Sequence, residues 1–255
     1  MIDVLTTPLL SGVRHGCLGR RGGVSTGLIA SLNCGIGSSD DPVAVVENRR
    51  LAREAVAPNV MLVGPYQTHS SICLTVTEPW HDDARPEADA LVTNRRGIAL
   101  SVLTADCAPV LLADVDAGVI GVAHAGWKGA FGGVFQATVA AMRVIGAKRI
   151  SAVIGPCIAQ KSYEVGEDFI ERAWGAANRD YFESRYLWKP RRTRQFFFDL
   201  EAYVFDTLVD CDLGGSVDAL SEDTYSQPDR YFSFRRATHG GEPDYGRQIS
   251  LIALP

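Results

Sequence analysis

Short runs of branched apolar residues are separated along the chain by polar, glycine-containing turns, and this pattern predicts β-strands. The expected strands are Val60–Val63, Ile72–Val76, Ala90–Val92, Ile98–Thr104, Val110–Asp114, Val119–His124, Ile150–Ile154, Tyr231–Phe234 and Gln248–Leu254. Other stretches carry apolar residues at helical spacing, which predicts α-helices. The expected helices are Pro42–Ala55, Gly133–Gly146, Asp168–Asn178 and Asp199–Asp210.

Some predicted strands are joined by turns too short for a helical crossover, such as Val115–Gly118, so we expect neighbouring strands to pair antiparallel. No linker, repeat or low-complexity segment divides the 255 residues. We therefore predict one domain spanning residues 1–255, with an α+β fold in which helices pack outside a mixed, largely antiparallel sheet. The least regular segment is Phe182–Gln195, which a lid or a plain loop would both explain.

The composition is that of an ordinary globular protein, with 46% hydrophobic and 22% charged residues. A net charge of −5 argues against a polyanion-binding surface, so we expect no nucleic-acid partner. The one basic cluster, Lys189–Arg194, is short and interrupted by proline. We interpret it as a solvated loop, with a local anion or partner site as the alternative.

The N-terminal residues lack a basic region ahead of an apolar run, and no window approaches the roughly 18 apolar residues of a membrane span. We therefore expect a cytoplasmic protein with no membrane partner. The six cysteines are more typical of free thiols than of a disulfide framework in such a chain. The sequence leaves the oligomeric state open, and a monomer is the working expectation.

Two histidines and one cysteine stand at the ends of predicted strands, in turns of small and polar residues. His69 lies in QTHS, Cys107 in LTADCAP and His124 in AHAGWKG. Two imidazoles and one thiolate form a ligand set of catalytic zinc sites, which leave the fourth position open. A bound Zn²⁺ would act as a Lewis acid and lower the pKa of a bound water to about 7. The spacing is not that of a local zinc module, so packing roles for the three residues remain the alternative.

The residues around these three could bind a substrate or move a proton. Asp106 could orient a ligand, accept a proton or simply cap its turn. Trp127 offers a stacking face, and Lys128 offers a cation for an anionic group. Further polar and cationic candidates are Gln67, Arg49 and Arg235. Each of these side chains could equally be a surface charge or a structural anchor.

Several motifs taken together are similar to those of a known family. These are RRGGVS, SLNCGIGSSDDP, QTH, DALVT, LTADCAPVLLAD, AHAGWKG, IGPCI and FSFRR…YGRQIS. Between Arg14 and Leu254 the chain resembles the YfiH family, also called the multicopper polyphenol oxidase, laccase-domain or purine nucleoside phosphorylase family. The sequence departs from the family pattern at Cys17–Arg20 and at Asp223–Tyr225, which concern the pocket lining rather than the expected ligands.

The resemblance implies an α/β/β/α sandwich and a zinc ion held by His69, Cys107 and His124. It also implies phosphorolysis of adenosine, inosine or methylthioadenosine, and hydrolytic deamination of adenosine. Our leading hypothesis is therefore a zinc-dependent purine nucleoside enzyme whose partners are a purine nucleoside and phosphate. Asp106 is then the candidate for proton transfer. The candidates for substrate and phosphate binding are Arg49, Gln67, Trp127, Lys128 and Arg235.

A second hypothesis keeps the same residues but changes the reaction class. Cys107 could be a nucleophile with His124 as its base, in a thiol hydrolase that cleaves an amide during cell-wall precursor editing. A third is copper-dependent polyphenol oxidation, with copper in place of zinc. We favour it less, because five histidines are few for a multicopper cluster and none of the three methionines adjoins a ligand motif. A non-catalytic binding protein is the fourth possibility.

Overall fold

The computed structural model describes residues 2–167, 169, 185–189 and 196–255. The predicted helix Asp168–Asn178, the basic cluster Lys189–Arg194 and the segment Phe182–Gln195 lie largely outside the described residues.

Fourteen strands form three sheets within the described residues. In chain order the strands are β1 Val4–Leu5, β2 Arg14–Leu18, β3 Met61–Val63, β4 Cys73–Thr75, β5 Ala90–Thr93, β6 Ile98–Thr104, β7 Ala108–Asp114, β8 Val119–Ala125, β9 Ile150–Ile154, β10 Glu164–Val165, β11 Leu187–Trp188, β12 Phe196–Phe198, β13 Gly214–Ala219 and β14 Gln248–Ala253. Eight of the nine predicted strands are thereby confirmed, within two residues at their ends.

The two larger sheets are mixed and mostly antiparallel, as the sequence predicts. One has the strand order β1-β2-β14-β6-β3, the other β13-β9-β7-β8-β5-β4, and a small third sheet has the order β10-β12-β11. Parallel pairs occur at β3–β6, β4–β5 and β9–β13. The chain passes directly from the first large sheet to the second in the short turn between β6 and β7.

The helices within the described part of the chain are α1 Pro42–Val56, α2 Trp127–Gly132, α3 Val134–Val144, α4 Leu200–Asp210 and α5 Phe234–Gly240. The sequence predicts α1, α3 and α4, and the Asp41 and Asp199 side chains accept hydrogen bonds from the first turns of α1 and α4. The expected strand Tyr231–Phe234 is wrong. Ser233 instead caps α5 by accepting a hydrogen bond from the backbone of Arg236, which favours a helix over an extended continuation.

Successive side chains of each strand point to opposite faces of its sheet, so each large sheet packs against the other sheet on one face and against helices on the other. In β7, Leu111 belongs to the core between the two large sheets, whereas Val110 and Leu112 belong to the core shared with α3 and α4. On the outer face of the other sheet, residues of β14 pack with Ala52 of α1. The α/β/β/α arrangement implied by the resemblance is thus confirmed. None of the described helices is long and apolar enough to cross a membrane.

Candidate metal centre

The turn between β6 and β7 and the end of β8 bring Cys107 and His124 together. Cys107 immediately precedes β7, and β7 pairs antiparallel with β8 so that Pro109 lies opposite His124. His69 joins them from the loop between β3 and β4. Cys107 and His124, 17 positions apart, therefore meet through strand pairing, and His69, 38 positions before Cys107, reaches them from its loop, as the sequence hypothesis requires.

The donor atoms of these three residues lie within 4.8 Å of one another. The Cys107 Sγ is 3.8 Å from the His69 Nε2, and the rings of His69 and His124 meet edge to face with centroids 4.8 Å apart. A cysteine sulfur and a histidine nitrogen bound to the same tetrahedral zinc ion lie about 3.6 Å apart at the usual bond lengths. The donor set therefore fits a metal ion such as Zn²⁺.

Asp89 holds two of the donors in position, and the sequence reasoning did not single it out. Its carboxylate accepts a hydrogen bond from the His124 Nδ1 at 2.8 Å, which leaves the Nε2 as the nitrogen available to a metal. It also accepts hydrogen bonds from the backbone N–H groups of His69 and Ser70 at 3.0 and 2.6 Å. A carboxylate behind a ligand histidine is the usual way in which the ring is oriented. Its position in the DALVT motif, just before β5, was the available signal.

The charge on Asp89 is favoured by its surroundings although it is completely buried. Burial raises the pKa of this carboxyl, but the hydrogen bonds from His124 and Ser70 outweigh that effect and bring its pKa to about 2. The carboxylate is therefore ionised at neutral pH and can stabilise positive charge on His124 or on a metal bound to it.

Cys107 is biased towards the thiolate. Burial raises the pKa of its thiol, but the charge and hydrogen bonds of His124, followed by those of His69, bring the pKa to about 6. The interaction between Cys107 and His124 also shifts the pKa of His124, in this case upwards. Burial lowers the pKa of its imidazole, but Cys107 and Asp89 raise it above the usual value. Thiolate is the metal-binding and nucleophilic form of cysteine, so the site favours the form that either chemistry needs.

The backbone around the donors adopts conformations that non-glycine residues rarely take. His69 and Asp106 have φ angles of 59° and 88°, in the left-handed region. A Cβ atom at Gly126 would lie 2.7 Å from the His69 Cδ2 and 3.1 Å from the Cys107 Sγ, so only glycine fits beneath the donors. Unfavourable backbone conformations of this kind cluster at functional sites, where the surrounding structure imposes them.

Two cavities meet at these donors. The larger has a volume of about 520 Å³ and the smaller about 350 Å³. Residues that line both are His69, Ala105, Cys107 and Phe234. Either cavity therefore gives access to His69 and Cys107, whereas His124 lines only the larger one.

Four of the five predicted substrate-binding residues line one of these cavities. Trp127, Lys128 and Arg235 line the smaller one, and Gln67 lines the larger. The Gln67 side chain is also bonded to both backbone groups of Leu103, with a distance of 2.8 Å to each, so it ties the loop of His69 to β6.

Arg49 lies elsewhere. Its buried guanidinium forms an ion pair with Asp82 at 2.9 Å, and it lines neither of the two cavities. The structure therefore does not bring this predicted phosphate ligand to the donors.

Asp106 has its carboxylate occupied by hydrogen bonds within the fold. The Thr224 hydroxyl donates to it at 2.6 Å, the Ser233 hydroxyl at 2.9 Å and the Arg235 backbone N–H at 2.6 Å. These bonds connect the turn before β7 to the start of α5. Of the three roles open from the sequence, fixing the turn is the one that these contacts perform.

A family model and several curated proteins match most of this chain. A family model described as multi-copper polyphenol oxidoreductase laccase matches residues 14–255. A purine nucleoside phosphorylase of Streptomyces griseus is 43% identical over 183 residues, which cover 70% of this chain and 74% of that protein.

Two solved structures align with this chain over 99% of its length. A Neisseria meningitidis protein aligns with a TM-score of 0.84 and 32% identity, covering 99% of this chain and 98% of its own. The hypothetical protein YfiH of Bacillus licheniformis aligns with a TM-score of 0.85 and 26% identity, covering 99% and 97%.

Proposed function

The chain belongs to the family described as multi-copper polyphenol oxidoreductase laccase, and on this premise we propose that it is a zinc-dependent enzyme acting on purine nucleosides. Its reactions would be phosphorolysis of adenosine, inosine or methylthioadenosine and hydrolytic deamination of adenosine. The similarity to proteins named purine nucleoside phosphorylase supports the substrate class. The convergence of His69, Cys107 and His124 where two cavities meet is the observation that carries the proposal.

His69, Cys107 and His124 would hold the metal, with Asp89 fixing the ring of His124 from behind. A bound Zn²⁺ supplies a Lewis acid and lowers the pKa of water to about 7. The chain's own contribution is to keep Cys107 as a thiolate and to present the Nε2 of His124, since its Nδ1 is bonded to Asp89.

The smaller cavity suits a purine base. Trp127 provides one wall, and its ring is itself supported by edge contacts to Phe131 and Phe169 at centroid distances of 6.1 and 5.2 Å. Tyr163 lines the same cavity. Aromatic faces bind flat heterocycles through stacking, so we assign the base to this cavity. Lys128 and Arg235 would contact polar groups of the nucleoside at its rim.

Asp106 is proposed as a positioning residue that could also relay a proton. Its carboxylate is bonded to the Ser233 and Thr224 hydroxyls, and the residue itself lines the smaller cavity. Arg49 is left out of the proposed site because its guanidinium is engaged with Asp82. The six free cysteines accord with a reducing compartment, so the proposal is a cytoplasmic enzyme that acts as a single-domain monomer.

The decisive experiment is to incubate the purified full-length protein with adenosine or inosine, with and without phosphate, and to separate the products chromatographically. We expect free base only when phosphate is present, and inosine from adenosine without it. Removal of zinc by a chelator should abolish both activities, and added zinc should restore them. Full turnover by protein free of metal would contradict the proposal.

A thiol hydrolase is the second candidate, and the lowered pKa of Cys107 beside His124 is the observation that favours it. In that case an amide substrate would be cleaved by metal-free protein, and iodoacetamide would stop the reaction. In the zinc enzyme, bound metal would instead protect Cys107 from alkylation. Amidase activity that survives chelation would support this candidate.

Copper-dependent phenol oxidation is the reaction that the family description names, but the residues favour it less. A blue-copper site uses two histidines and a cysteine together with a distant axial methionine, glutamine or carbonyl. Met142 lies in α3 with its side chain in the core, Met61 begins β3, and neither lines the two cavities beside the three donors. His69, Cys107 and His124 are the one group of three or more possible ligands found in the described part of the chain, whereas a multicopper cluster needs several.

A further inference from the structure

The larger cavity contains a buried hydroxyl that the fold itself does not use. Thr104 ends β6, is 2% exposed and lines this cavity, and its Oγ1 has no hydrogen-bond partner among the described residues. An unpaired buried polar group costs free energy comparable to a lost hydrogen bond, so such a group usually has a partner. A ligand in the cavity would supply that partner.

Arg85 also lines the larger cavity, and no carboxylate of the described residues forms an ion pair with it. Its Nε donates to the backbone carbonyl of Asp82 at 2.8 Å, while the carboxylate of Asp82 is taken by Arg49. Both oxygens of the Asp82 carboxylate are therefore bonded to Arg49 and not to Arg85. Across the described ranges, no ion pair is formed by the Arg85 guanidinium, which leaves its terminal nitrogens available.

Arg247 is the second cation of this cavity. Its guanidinium lies over the Tyr245 ring at 4.3 Å from the centroid. It passes so close to Gly35 that a Cβ atom there would lie 3.1 Å from its Nη1. Within the described residues its side chain makes a single hydrogen bond, a long contact of 3.5 Å from Nη1 to the Tyr245 carbonyl, and it forms no ion pair with an acid there. These contacts therefore position the Arg247 guanidinium but do not neutralise its charge.

We propose that the larger cavity is a phosphate subsite, in which Arg85 and Arg247 bind the phosphoryl oxygens and the Thr104 hydroxyl completes the contacts. Guanidinium groups match phosphate with paired hydrogen bonds, and a dianion balances two of them. The smaller cavity is less suited, since the Arg235 Nη1 is bonded to the Glu164 carbonyl and Lys128 is exposed. The interpretation as a co-substrate site rests on the proposed function.

The arrangement accounts for how two reactants would meet. With phosphate in the larger cavity and the purine in the smaller, the ribose C1′ lies where the cavities join. A phosphate oxygen forms a bond to C1′ while the bond from C1′ to the purine nitrogen breaks. The electron pair of that bond leaves on the purine, which takes the proton of hydrogen phosphate. The products are free base and ribose 1-phosphate.

The test measures binding of inorganic phosphate to the zinc-loaded full chain by isothermal titration calorimetry. Arg85→Gln and Arg247→Gln should each weaken binding about tenfold or more, since each removes a charge-assisted contact. Thr104→Val, which keeps the side-chain shape, should weaken it roughly fivefold. In phosphorolysis the KM for phosphate should rise in parallel, and the KM for inosine should stay as in the wild type.

The matched control is Arg95→Gln. Arg95 is an exposed arginine at the opposite end of β6 from Thr104, and its substitution should leave phosphate affinity unchanged. Zinc content and thermal midpoint, measured for every variant, separate loss of a contact from loss of folding.

A second titration uses a purine nucleoside 5′-monophosphate in place of phosphate. If the variants lose affinity for the monophosphate alone, the subsite holds the substrate's own phosphate. If they lose affinity for inorganic phosphate, it holds the co-substrate. Unchanged affinity for both ligands in a folded, zinc-loaded Arg85→Gln/Arg247→Gln variant would overturn the subsite. Phosphate binding that follows these expectations in a protein without nucleoside turnover would support the subsite and contradict the proposed function.

Discussion

The two ends of the β7–β8 hairpin are built from the same pair of strands and finish differently. At one end the turn Val115–Gly118 closes the hairpin, and the buried Asp114 accepts hydrogen bonds from the backbone of Ala117, Lys148 and Arg149 at 3.0, 2.6 and 2.8 Å. At the other end Cys107 and His124 meet beside the two cavities.

The difference lies in what each end leaves unpaired. At the closed end the carboxylate and the turn satisfy each other, and this end contributes no lining residue to either of the two cavities. At the open end His69, Cys107, His124 and Thr104 line the cavities, and the Thr104 hydroxyl has no hydrogen-bond partner among the described residues. Asp106 is held there at a φ angle of 88°. The open end therefore combines an unfavourable backbone conformation with an unpaired hydroxyl beside the cavities, while the closed end stabilises the sheet.

Cys107→Ala should have the largest effect of the substitutions that compare the two ends, because it removes one of the three proposed zinc ligands. Zinc affinity should fall by more than the roughly 10- to 100-fold that is typical of changes behind the ligands, and adenosine turnover should disappear with the metal. Elemental analysis after dialysis, together with the chromatographic assay, measures both. Cys211→Ala, at the end of α4, is the control and should keep full zinc content.

Asp89→Asn should weaken zinc binding by roughly 10- to 100-fold, because it removes the charge that orients His124 while preserving the shape. Competition with a chelating dye gives the affinity. Asp116→Asn, in the closed-end turn, provides the matched control and should bind zinc as the wild type does. Equal zinc affinities of the two variants would show that Asp89 does not act through the metal.

Alanine at two glycines that flank β8 should sharpen the comparison further. At Gly126 the new methyl group would press against His69 and Cys107, so zinc affinity should drop about tenfold. At Gly118, with a φ angle of 63° and open space around it, alanine should cost about 1 kcal/mol of stability and leave zinc binding unchanged. Urea denaturation and dye competition distinguish the two outcomes, and the reverse pattern would refute the division between the ends.

Asp114→Asn should have the smallest effect on zinc and a pH-dependent effect on stability. Burial raises the pKa of Asp114, but the backbone N–H groups of Lys148, Arg149 and Ala117 outweigh it, so its pKa lies below the usual value. The folded state therefore favours the carboxylate. Its stabilisation is complete above the unfolded pKa of about 3.9 and is lost as the pH falls through the folded pKa.

We expect the wild type to exceed the Asp114→Asn variant by about 2 kcal/mol near neutral pH, because hydrogen bonds to a charge are lost. The difference in free energy of unfolding should shrink below about pH 4. Urea titrations of both proteins between pH 3 and pH 7 measure it. A difference that stayed constant over this range would contradict the role of the charge.

Sequence patterns were sufficient for the strands and for the residues that converge at the open end, because apolar runs and strand-end cysteine and histidine are local signals. They were insufficient where a long-range contact decides the outcome. Asp89 precedes an ordinary apolar run, and its role depends on His124, 35 residues away. Arg49 is a plausible phosphate ligand until its ion pair with Asp82 is seen. Likewise, the alternating run Tyr231–Phe234 resembles a strand, but the Ser233 hydroxyl accepts a hydrogen bond from the Arg236 backbone and caps α5.

The most direct test of the central claim is zinc-edge X-ray absorption on the purified full-length protein, together with metal stoichiometry. The account predicts about one zinc per chain, with one sulfur neighbour at about 2.3 Å and nitrogen neighbours at about 2.0–2.1 Å. The sulfur contribution should vanish in Cys107→Ala. A protein that binds no zinc when supplied with it, or a zinc spectrum without sulfur, would contradict the account.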